Sequence, residues 1–348
     1  MDVKSAESVT NRTLRVAAIQ MVAEPGKCAS NRARAEPLVE RAASDGAALV
    51  ALPEMFAPGY LASRGVWDLA EPLGRGPTVA WLQRIARRFG IHVAGGLVET
   101  DGRHFFDTFV VCTPAGEIAG RACKANAESY AFLRGRGAHI VDTSLGRLGI
   151  AICADNQFVH MPSFFHAHGV DLVLMPHAWP IPRVARGIVK AHDVREQLEH
   201  VRALPVLCAT LLGVPVVFAN LTGPFARVPG VLGRLLDPAV FAMGGQSRVV
   251  DSDGIVRASL DSGEGVATAD VALDPTRKRL GEIPNHHGWL FPGSRVAREL
   301  LMPIDIAWGR LSYTLSPSRA HTARELVHHV AKEFSGTSWP PRRHARGD

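Results

Sequence analysis

The stretch GIAICADNQF, residues 149–158, decides the fold class of this protein. Its first half is a short apolar run with the length of a buried β-strand, and small and polar residues follow at once. Cys153 stands where that strand is expected to end. A free cysteine usually packs in a core as a small hydrophobe, so a chemical role for Cys153 depends on which other residues reach the same end of the sheet.

Apolar strand-like runs alternate with helical patterns on both sides of this stretch. The strand-like runs include TLRVAAIQM at 13–21, ALVALP at 48–53, DLVLMP at 171–176 and VPVVFAN at 214–220. The helical patterns lie at 31–46, at 78–90 and from about 188 to 212. Two hairpins are predicted at 105–122 and 246–260, each with a glycine in its turn. This mixture predicts an α/β protein with mixed sheets covered by helices.

The composition is that of a globular protein with a sizeable core. The chain has 348 residues, 47% of them hydrophobic, enough for one large α/β domain or two ordinary ones. No run of about eighteen or more apolar residues appears, and the opening residues MDVKSAESVTNRT lack the apolar core of a signal peptide. We therefore expect no membrane association and a cytoplasmic location.

The cysteine, histidine and charge patterns argue against several classes of site. Five cysteines are scattered without a CxxC pair, which disfavours a disulfide framework and a structural zinc site. The histidine pairs at 286–287 and 328–329 lack the spacing and acidic partner of an HExxH site, so we predict no catalytic metal. The net charge of +6 is spread along the chain, which disfavours nucleic-acid binding.

Three predicted strand ends each deliver one reactive side chain. Glu54 follows ALVALP, Lys124 follows a hairpin arm, and Cys153 follows LGIAI. A thiolate nucleophile, a carboxylate that accepts its proton and an ammonium that stabilises an oxyanion together suit acyl transfer through a thioester. The spacing alone is weak support, since a chain with 39 basic and 33 acidic residues offers many such triplets.

Over residues 14–274 the chain resembles the nitrilase, or carbon-nitrogen hydrolase, superfamily. The resemblance is carried in order by RVAAIQM, LPEMF, the Lys124 segment, GIAICAD, LVLMP, VVFANLTG, FAMGGQSRVVDSDG and EGVATADVAL. It implies an αββα sandwich of two mixed sheets flanked by helices, which usually pairs as a homodimer. It also implies a triad in which Cys153 is the nucleophile, Glu54 the general base and Lys124 the oxyanion stabiliser. Glu128 resembles the second glutamate that many members place after the lysine.

The composition changes after the last predicted strand. We assign residues 13–275 to a carbon-nitrogen hydrolase domain and 276–348 to a C-terminal arm that serves packing or oligomerisation. The arm contains Trp289, Trp308, several prolines and the amphipathic candidate TARELVHHVAKEF at 322–334. No second catalytic domain is expected there.

The chain departs from the family pattern near the triad, and these departures bear on substrate class. Ala154 stands where members often have an aromatic residue, and Asn126 where many amidase-like members have histidine. Asp155, two residues after Cys153, resembles the amidase and carbamoylase branches rather than the true nitrilases. The resemblance thus implies cofactor-free hydrolysis of an amide or N-carbamoyl bond. Alternatives are nitrile hydrolysis, acyl transfer to an amine acceptor, and a non-catalytic assembly or binding protein on the same fold.

The expected partner is a small amide, carbamoyl or nitrile substrate. His177 and Trp179, in LMPHAWP, follow a strand end on the catalytic side and are candidates to line its pocket, although Trp179 is equally suited to cover the core. The backbone N–H of Ala154 is a candidate to supplement Lys124 in an oxyanion hole. Four arginines near this loop raise the question of an acidic substrate: Arg183, Arg186, Arg195 and Arg202.

Overall fold

Two mixed β-sheets stacked face to face form the centre of the fold. The structure is a computed structural model that describes residues 11–135, 139–187 and 189–333. The strands, in chain order, are β1 Arg12–Gln20, β2 Leu49–Ala51, β3 Glu71–Pro72, β4 His92–Thr100, β5 Phe105–Cys112, β6 Ile118–Cys123, β7 Ile140–Thr143, β8 Gly146–Ile150, β9 Leu172–His177, β10 Pro180–Pro182, β11 Val216–Asn220, β12 Thr222–Pro224, β13 Phe241–Gly244, β14 Arg248–Val250, β15 Val256–Ser259 and β16 Gly265–Leu273.

The strand orders make each large sheet a mixture of parallel and antiparallel pairs. The first sheet has the order β16-β1-β2-β4-β5-β6, with β3 beside β4, and the second has the order β15-β14-β11-β9-β8-β7. The pairs β1–β2, β2–β4, β8–β9 and β9–β11 are parallel. A third, three-stranded sheet pairs β10, β13 and β12.

Seven α-helices accompany these strands in the described residues. They are α1 Cys28–Ser44, α2 Pro77–Phe89, α3 His160–Ala167, α4 Ala191–Leu212, α5 Gly230–Leu235, α6 Met302–Thr314 and α7 Pro317–Glu333. Shorter helical turns cover Arg64–Leu69, Cys153–Gln157, Pro275–Arg277 and Val296–Leu301. The bounds of α2 have a local cause, because Pro77 opens the helix and Gly90 closes it with a left-handed φ of +66°. None of the described helices is long and apolar enough to cross a membrane.

Alternation along the strands assigns side chains to three buried layers. In β1, Val16 and Ala18 face the space between the large sheets, whereas Ile19 packs with α1 and α2 on the outer side. In β9, Leu174 faces the space between the sheets and Met175 packs with α3 and α4. The layers therefore follow the order helix, sheet, sheet, helix, and the predicted αββα sandwich is confirmed.

The topology brings several strand ends to one edge of the sandwich. β2 and β8 each lie in a parallel pair, and β6 runs in the same direction as β4 because two antiparallel pairings separate them. β1 and β11, one from each large sheet, also run in the same direction, because a parallel bridge joins Met21 and Leu221 directly after their ends. Loops that carry chemistry commonly occur at such an edge.

The principal strands and helices agree with the sequence prediction, with small shifts at their ends. β2 covers only Leu49–Ala51 of the predicted 48–53, and α4 begins at Ala191, three residues after the predicted start; residue 188 lies outside the described part. The amphipathic pattern at 322–334 belongs to α7, which begins earlier, at Pro317. The small sheet and α6 are absent from the sequence prediction. The strands of the small sheet have three or four residues and are too short to show a period.

Candidate active site

Glu54, Lys124 and Cys153 lie together at this edge, although they come from three separate strands. Glu54 follows β2, Lys124 follows β6 directly, and Cys153 begins the short helical turn after β8. Their exposed fractions are 0% for Glu54, 1% for Lys124 and 9% for Cys153. Charged groups are seldom fully buried without partners, so this cluster must satisfy its charges internally.

The Lys124 ammonium lies in the middle of the cluster and contacts each of its carboxyl groups. Its Nζ donates to Glu54 Oε1 at 2.6 Å and to Glu128 Oε1 and Oε2 at 2.8 and 3.0 Å, and it lies 3.5 Å from Asp107 Oδ2. Burial lowers the pKa of Lys124, but the carboxylates of Glu128 and Glu54 outweigh burial and hold the pKa well above its usual value. Lys124 is therefore a fixed ammonium donor.

Backbone and tyrosine donors hold the two glutamates in place. The N–H of Ala178 donates to Glu54 Oε2 at 2.6 Å, and the Tyr60 hydroxyl donates to Glu128 Oε1 at 3.0 Å. Glu54 thus has one oxygen on Lys124 and the other on a backbone N–H, whereas Glu128 has both oxygens on Lys124 and a further contact from Tyr60. The geometry leaves little freedom for either carboxylate to turn away from the lysine.

One set of three acidic side chains among the described residues is close enough to hold a metal ion, namely Glu54, Asp107 and Glu128. The Lys124 ammonium already contacts all three of these carboxyl groups. A cation of unit charge thus occupies the position that a metal would take. The arrangement is consistent with a metal-free site, which stays a prediction from the sequence.

Asp107, on β5, is an acidic residue of the site that the sequence analysis did not identify. It is buried, and neither of its oxygens has a hydrogen-bond partner within the described residues. Burial, followed by the charge of Glu54, raises the pKa of Asp107 well above its usual value. A single ammonium cannot neutralise three buried carboxylates, and the raised pKa makes Asp107 the group that we expect to hold a proton.

We expect Asp107→Asn to make the free energy of unfolding less dependent on pH. The folded-state pKa of Asp107 is raised, so its contribution to stability is complete below its unfolded pKa and is lost as the pH rises toward the folded value. One retained proton changes the free energy of unfolding by about 1.4 kcal/mol per pH unit. The free energy of unfolding of the Asp107→Asn protein should therefore rise relative to that of the wild type by about 1.4 kcal/mol per pH unit from about pH 5 upward. Urea unfolding of both proteins at several pH values measures this, and parallel curves would contradict the assignment of the proton.

Cys153 sits in a strained backbone conformation beside the charged cluster. Its φ is +48°, a left-handed value that non-glycine residues seldom adopt and that is frequent at functional sites. Burial and the charge of Glu54 raise the pKa of the Cys153 thiol well above its usual value, against a lowering by Lys124. The resting side chain is therefore a neutral thiol next to a carboxylate.

Asp155 fixes the loop that follows Lys124. Its Oδ2 accepts from the N–H of Ala125 at 2.9 Å, and its Oδ1 accepts from both the N–H and the side-chain amide of Asn126 at 2.8 Å. The carboxylate is fully buried and does not line the neighbouring cavity. Asp155 and Asn126, both notable in the sequence, thus form one structural clamp between the cysteine and lysine loops.

A cavity of about 420 Å³ opens beside the cluster. Its lining includes Tyr60 and Glu128 of the cluster, Ala154, which follows Cys153, and residues of the loop after Lys124. Glu54, Lys124 and Cys153 themselves do not line it. Ligand pockets of about 300–1,000 Å³ hold small organic molecules. A small molecule in the cavity would therefore lie against Glu128 and Ala154, the residue that follows Cys153.

The three predicted substrate-binding residues lie in different places. Ala154 lines the cavity, whereas His177 and Trp179 do not. The His177 ring is fully buried, accepts from Asn156 Nδ2 at 3.0 Å and packs against Trp179 and Phe218. Burial, with the nearby Lys124 charge, lowers the pKa of His177 well below its usual value, so the ring is neutral. In this structure His177 and Trp179 are therefore packing residues near the site and not part of the cavity wall.

Comparison with known proteins decides the family. The sequence profile of the carbon-nitrogen hydrolase family matches residues 15–279, about three quarters of the chain. The chain belongs to the carbon-nitrogen hydrolase family. The predicted family resemblance is thereby confirmed.

Two curated relatives of this carbon-nitrogen hydrolase carry different activities in their names. A nitrilase of Pyrococcus abyssi is 30% identical over 184 residues, covering 50% of this chain and 69% of the relative. A chloroplastic omega-amidase of Arabidopsis thaliana is 31% identical over 166 residues, covering 43% of this chain and 45% of the relative. The crystal structure of a carbon-nitrogen hydrolase from Helicobacter pylori G27 shares the fold, with a TM-score of 0.65, 20% identity and coverage of 76% of this chain and 91% of that one.

The residues that the sequence analysis missed in this carbon-nitrogen hydrolase are Asp107, Tyr60 and part of the C-terminal arm. One signal was available for Asp107, which alternates with Phe105 and Phe109 along a predicted strand. An acidic residue on the buried face of an apolar strand needs a partner, and a nearby lysine is the expected one. No comparable signal marks Tyr60, because its partner Glu128 is 68 residues away in the chain.

Proposed function

We propose that this protein hydrolyses a non-peptide amide or N-carbamoyl C–N bond through a thioester on Cys153. The observation that carries the proposal is the buried cluster in which Lys124 Nζ donates to Glu54 at 2.6 Å and to Glu128 at 2.8 Å beside Cys153 and a cavity. A base, a fixed cation and a nucleophile in a dry site are the parts that acyl transfer requires. Membership of the hydrolase family supports the same conclusion.

In the acylation step, Glu54 removes the proton from the Cys153 thiol as Sγ attacks the carbonyl carbon. The raised pKa of the thiol keeps the proton on sulfur until the substrate arrives, which protects the thiol from unproductive chemistry. The C=O π electrons move to oxygen, and the Lys124 ammonium stabilises the resulting oxyanion. The C–N bond then breaks, the proton held by Glu54 moves to nitrogen, and ammonia or an amine leaves.

In the deacylation step, a water molecule replaces the amine. Glu54 accepts one proton from the water as its oxygen attacks the thioester carbon, and Lys124 again stabilises the oxyanion. The C–S bond breaks, the sulfur takes the proton back, and the acid is released. The sum is one amide and one water converted to one acid and one amine or ammonia, with the enzyme returned to its resting state.

Glu128 and Tyr60 support this chemistry without forming bonds to the acyl group. Glu128 is the second anchor of the Lys124 ammonium and lines the cavity, and Tyr60 holds the Glu128 carboxylate at 3.0 Å. We infer that Glu128 keeps the ammonium aimed at the oxyanion position and positions the departing amine. The backbone N–H of Ala154, next to the nucleophile and lining the cavity, is the proposed second oxyanion donor.

Nitrile hydrolysis is the second candidate, because a relative 30% identical over 184 residues is a nitrilase. Asp155, which the sequence analysis interpreted as a mark of the amidase branch, is bonded to the lysine loop and does not line the cavity. It therefore acts on substrate choice only through the position of that loop. Acyl transfer to an amine acceptor uses the same thioester and differs only in the second nucleophile.

The experiment that tests the proposal traps the acyl-enzyme. The purified protein is mixed with matched amides, N-carbamoyl compounds and nitriles, quenched in acid, and analysed by intact mass and peptide mapping. We expect an acyl adduct on Cys153 with the amide series and release of ammonia or amine. Turnover of nitriles but not of amides would show that the second candidate is correct. Recovery of the acyl group only as an amide of an added amine would show that the reaction is acyl transfer. The absence of both adduct and turnover across the series would support the non-catalytic alternative.

We also propose that the protein is a homodimer, as the family resemblance implies. Large apolar side chains recur every three or four residues along one exposed helical face: Leu300, Ile304, Trp308, Leu311 and Leu315. An exposed apolar stripe of this length is typical of a surface that is covered in an assembly. Light scattering on the purified protein checks the proposal, with about twice the mass of one 37.4 kDa chain as the expected result.

A cytoplasmic location completes the proposal. All five cysteines are unpaired thiols, at positions 28, 112, 123, 153 and 208. Free thiols persist in reducing compartments, and the proposed chemistry requires Cys153 in its reduced form.

A further inference from the structure

The C-terminal arm contributes one wall of the cavity beside Cys153. Helix α6 begins 23 residues after the family match ends at residue 279, and its side chains line the cavity at Met302, Ile306 and Arg310. Trp289, also in the arm, lines the cavity as well. Part of the cavity wall is thus built by a segment outside the matched family region.

Specific contacts hold α6 against the loop that follows Lys124. A Cβ atom at Gly309 would collide with the Ser129 side chain, so only glycine allows the helix to approach this closely. The Tyr313 hydroxyl accepts from the N–H of Phe105 at 3.0 Å, and the Tyr130 hydroxyl donates to Asp305 Oδ1 at 3.2 Å. The wall is therefore a fixed part of the site.

A second contact fastens the start of the arm to the nucleophile loop. The N–H of Leu290 donates to the carbonyl of Gln157 at 2.9 Å, and the Trp289 ring lies 4.5 Å from the Phe158 ring between centroids. Gln157 ends the helical turn that begins at Cys153. The arm and the nucleophile thus share one rigid frame.

The cavity wall has an apolar body and a basic rim. The apolar surface is supplied by Phe132, Leu236, Met302 and Ile306. Arg134 and Arg310 also line the cavity; both are exposed, and neither has an ion-pair or hydrogen-bond partner within the described ranges. The four arginines considered in the sequence analysis do not line the cavity.

The acidic groups of the cavity are engaged elsewhere or lie next to the reaction centre. Asp305 accepts from Tyr130, and Glu128 is bonded to Lys124. An anionic substrate group close to Glu128 would be repelled, whereas one beside the two arginines would gain charge-assisted hydrogen bonds. The charges of the lining therefore favour an anionic group beside Arg134 and Arg310 rather than next to Glu128.

We propose that helix α6 selects the acyl group, and that the substrate is an amide whose acyl group has an apolar body of aromatic-ring size and an anionic group at its far end. This inference rests on the proposed function. The apolar body packs against Ile306 and Met302, and the anionic group binds Arg310 and Arg134. The arm is then a specificity element of the site in addition to any packing role.

The test measures binding to the Cys153→Ala protein, which holds an amide without cleaving it. The probes are phenylbutanamide, the same molecule with a para-carboxylate, the same molecule with a para-trimethylammonium group, and the short amide propanamide. We expect the carboxylate probe to bind about tenfold more tightly than the neutral probe, as a charge-assisted hydrogen bond implies, and the cationic probe to bind most weakly.

Variants added to the Cys153→Ala protein assign the effect to α6. We expect Arg310→Gln to remove most of the preference for the carboxylate probe while the affinity for the neutral probe stays the same. Ile306→Ala should weaken all three aromatic probes about tenfold through lost apolar contact. Arg324→Gln on α7 and Ile255→Ala in the β14–β15 turn are matched exposed controls, and Arg134→Gln repeats the charge test outside the helix.

Equal affinity for the three aromatic probes, or a carboxylate preference that Arg310→Gln and Arg134→Gln both leave intact, overturns the inference. Tighter binding of propanamide than of phenylbutanamide also overturns it. Failure of the proposed function has a different signature. In that case the wild-type protein releases no ammonia from any probe and forms no adduct on Cys153, whatever the binding order of the probes.

Discussion

Replacing Cys153 with alanine is expected to reduce turnover of every amide substrate by about 10⁴-fold or more, because the variant has no atom that can form the thioester. The cluster of Glu54, Lys124 and Glu128 makes its contacts without the sulfur, so the fold should be retained. Steady-state release of ammonia measures the loss, and circular dichroism with urea unfolding measures the fold.

Matched controls separate loss of the nucleophile from loss of a thiol in general. Cys28→Ala changes a partly exposed cysteine at the start of α1 and should leave turnover unchanged. Cys153→Ser keeps the shape of the side chain but has a poorer nucleophile, and it should be almost as inactive as the alanine variant. Substantial residual activity in Cys153→Ala, in a protein that is folded, would refute the assignment of the nucleophile.

Replacing Lys124 with methionine is expected to affect both activity and stability. Loss of a preorganised oxyanion donor typically costs about 10²–10³ in kcat. The same change leaves Glu54, Glu128 and Asp107 without their shared cation, and removal of one partner from a buried ion pair costs about 3–5 kcal/mol of unfolding free energy. Chemical unfolding and ammonia release on the same preparation measure the two effects.

The stability deficit of Lys124→Met should grow as the pH rises. Without the ammonium, the buried carboxyl groups must keep protons in the folded state, so their folded pKa values rise above the unfolded ones. The stability that those protons maintain is present at low pH and is lost as the pH rises through the raised values. A deficit that is constant from about pH 5 to about pH 8 would contradict this account of the cluster.

Lys278→Met is the matched lysine control. Its Nζ lies 2.6 Å from Asp171 Oδ1, a distance as short as that from Lys124 to Glu54, but the pair is partly exposed and remote in sequence from the triad. Ion pairs in contact with water contribute about 0–1 kcal/mol. This variant should therefore keep its turnover and lose little stability, which shows that burial rather than distance sets the cost at Lys124.

The order of strands and helices could be predicted because each buried strand carries its own apolar run. β8 and β9 lie where LGIAI and DLVLMP predict them, and α2 lies between an opening proline and a closing glycine. The short strands of the small sheet could not be predicted, since their pairing partners are far away in the chain. The αββα arrangement itself came from the family resemblance, because alternation alone does not say which two sheets stack.

The identities of Glu54, Lys124 and Cys153 as candidates came from their positions at strand ends together with that resemblance. Their mutual distances could not be predicted, because β2, β6 and β8 belong to two sheets whose relative position is set by the packing of side chains between them. The same limit applies to Asp155. Its position two residues after Cys153 marks it in the sequence, but its hydrogen bonds to Ala125 and Asn126 depend on how the two loops meet.

The strand and helix pattern, the family resemblance and the reactive residue types follow from the sequence alone, since they depend on neighbours in the chain and on ordered motifs. The three-dimensional arrangement adds Asp107, with its raised pKa, to the cluster, buries His177 and makes α6 one wall of the cavity. These features cannot be predicted from the sequence because burial, charge balance and cavity shape arise from groups distant in the chain. The Gly309–Ser129 contact, across 180 residues, is a clear example.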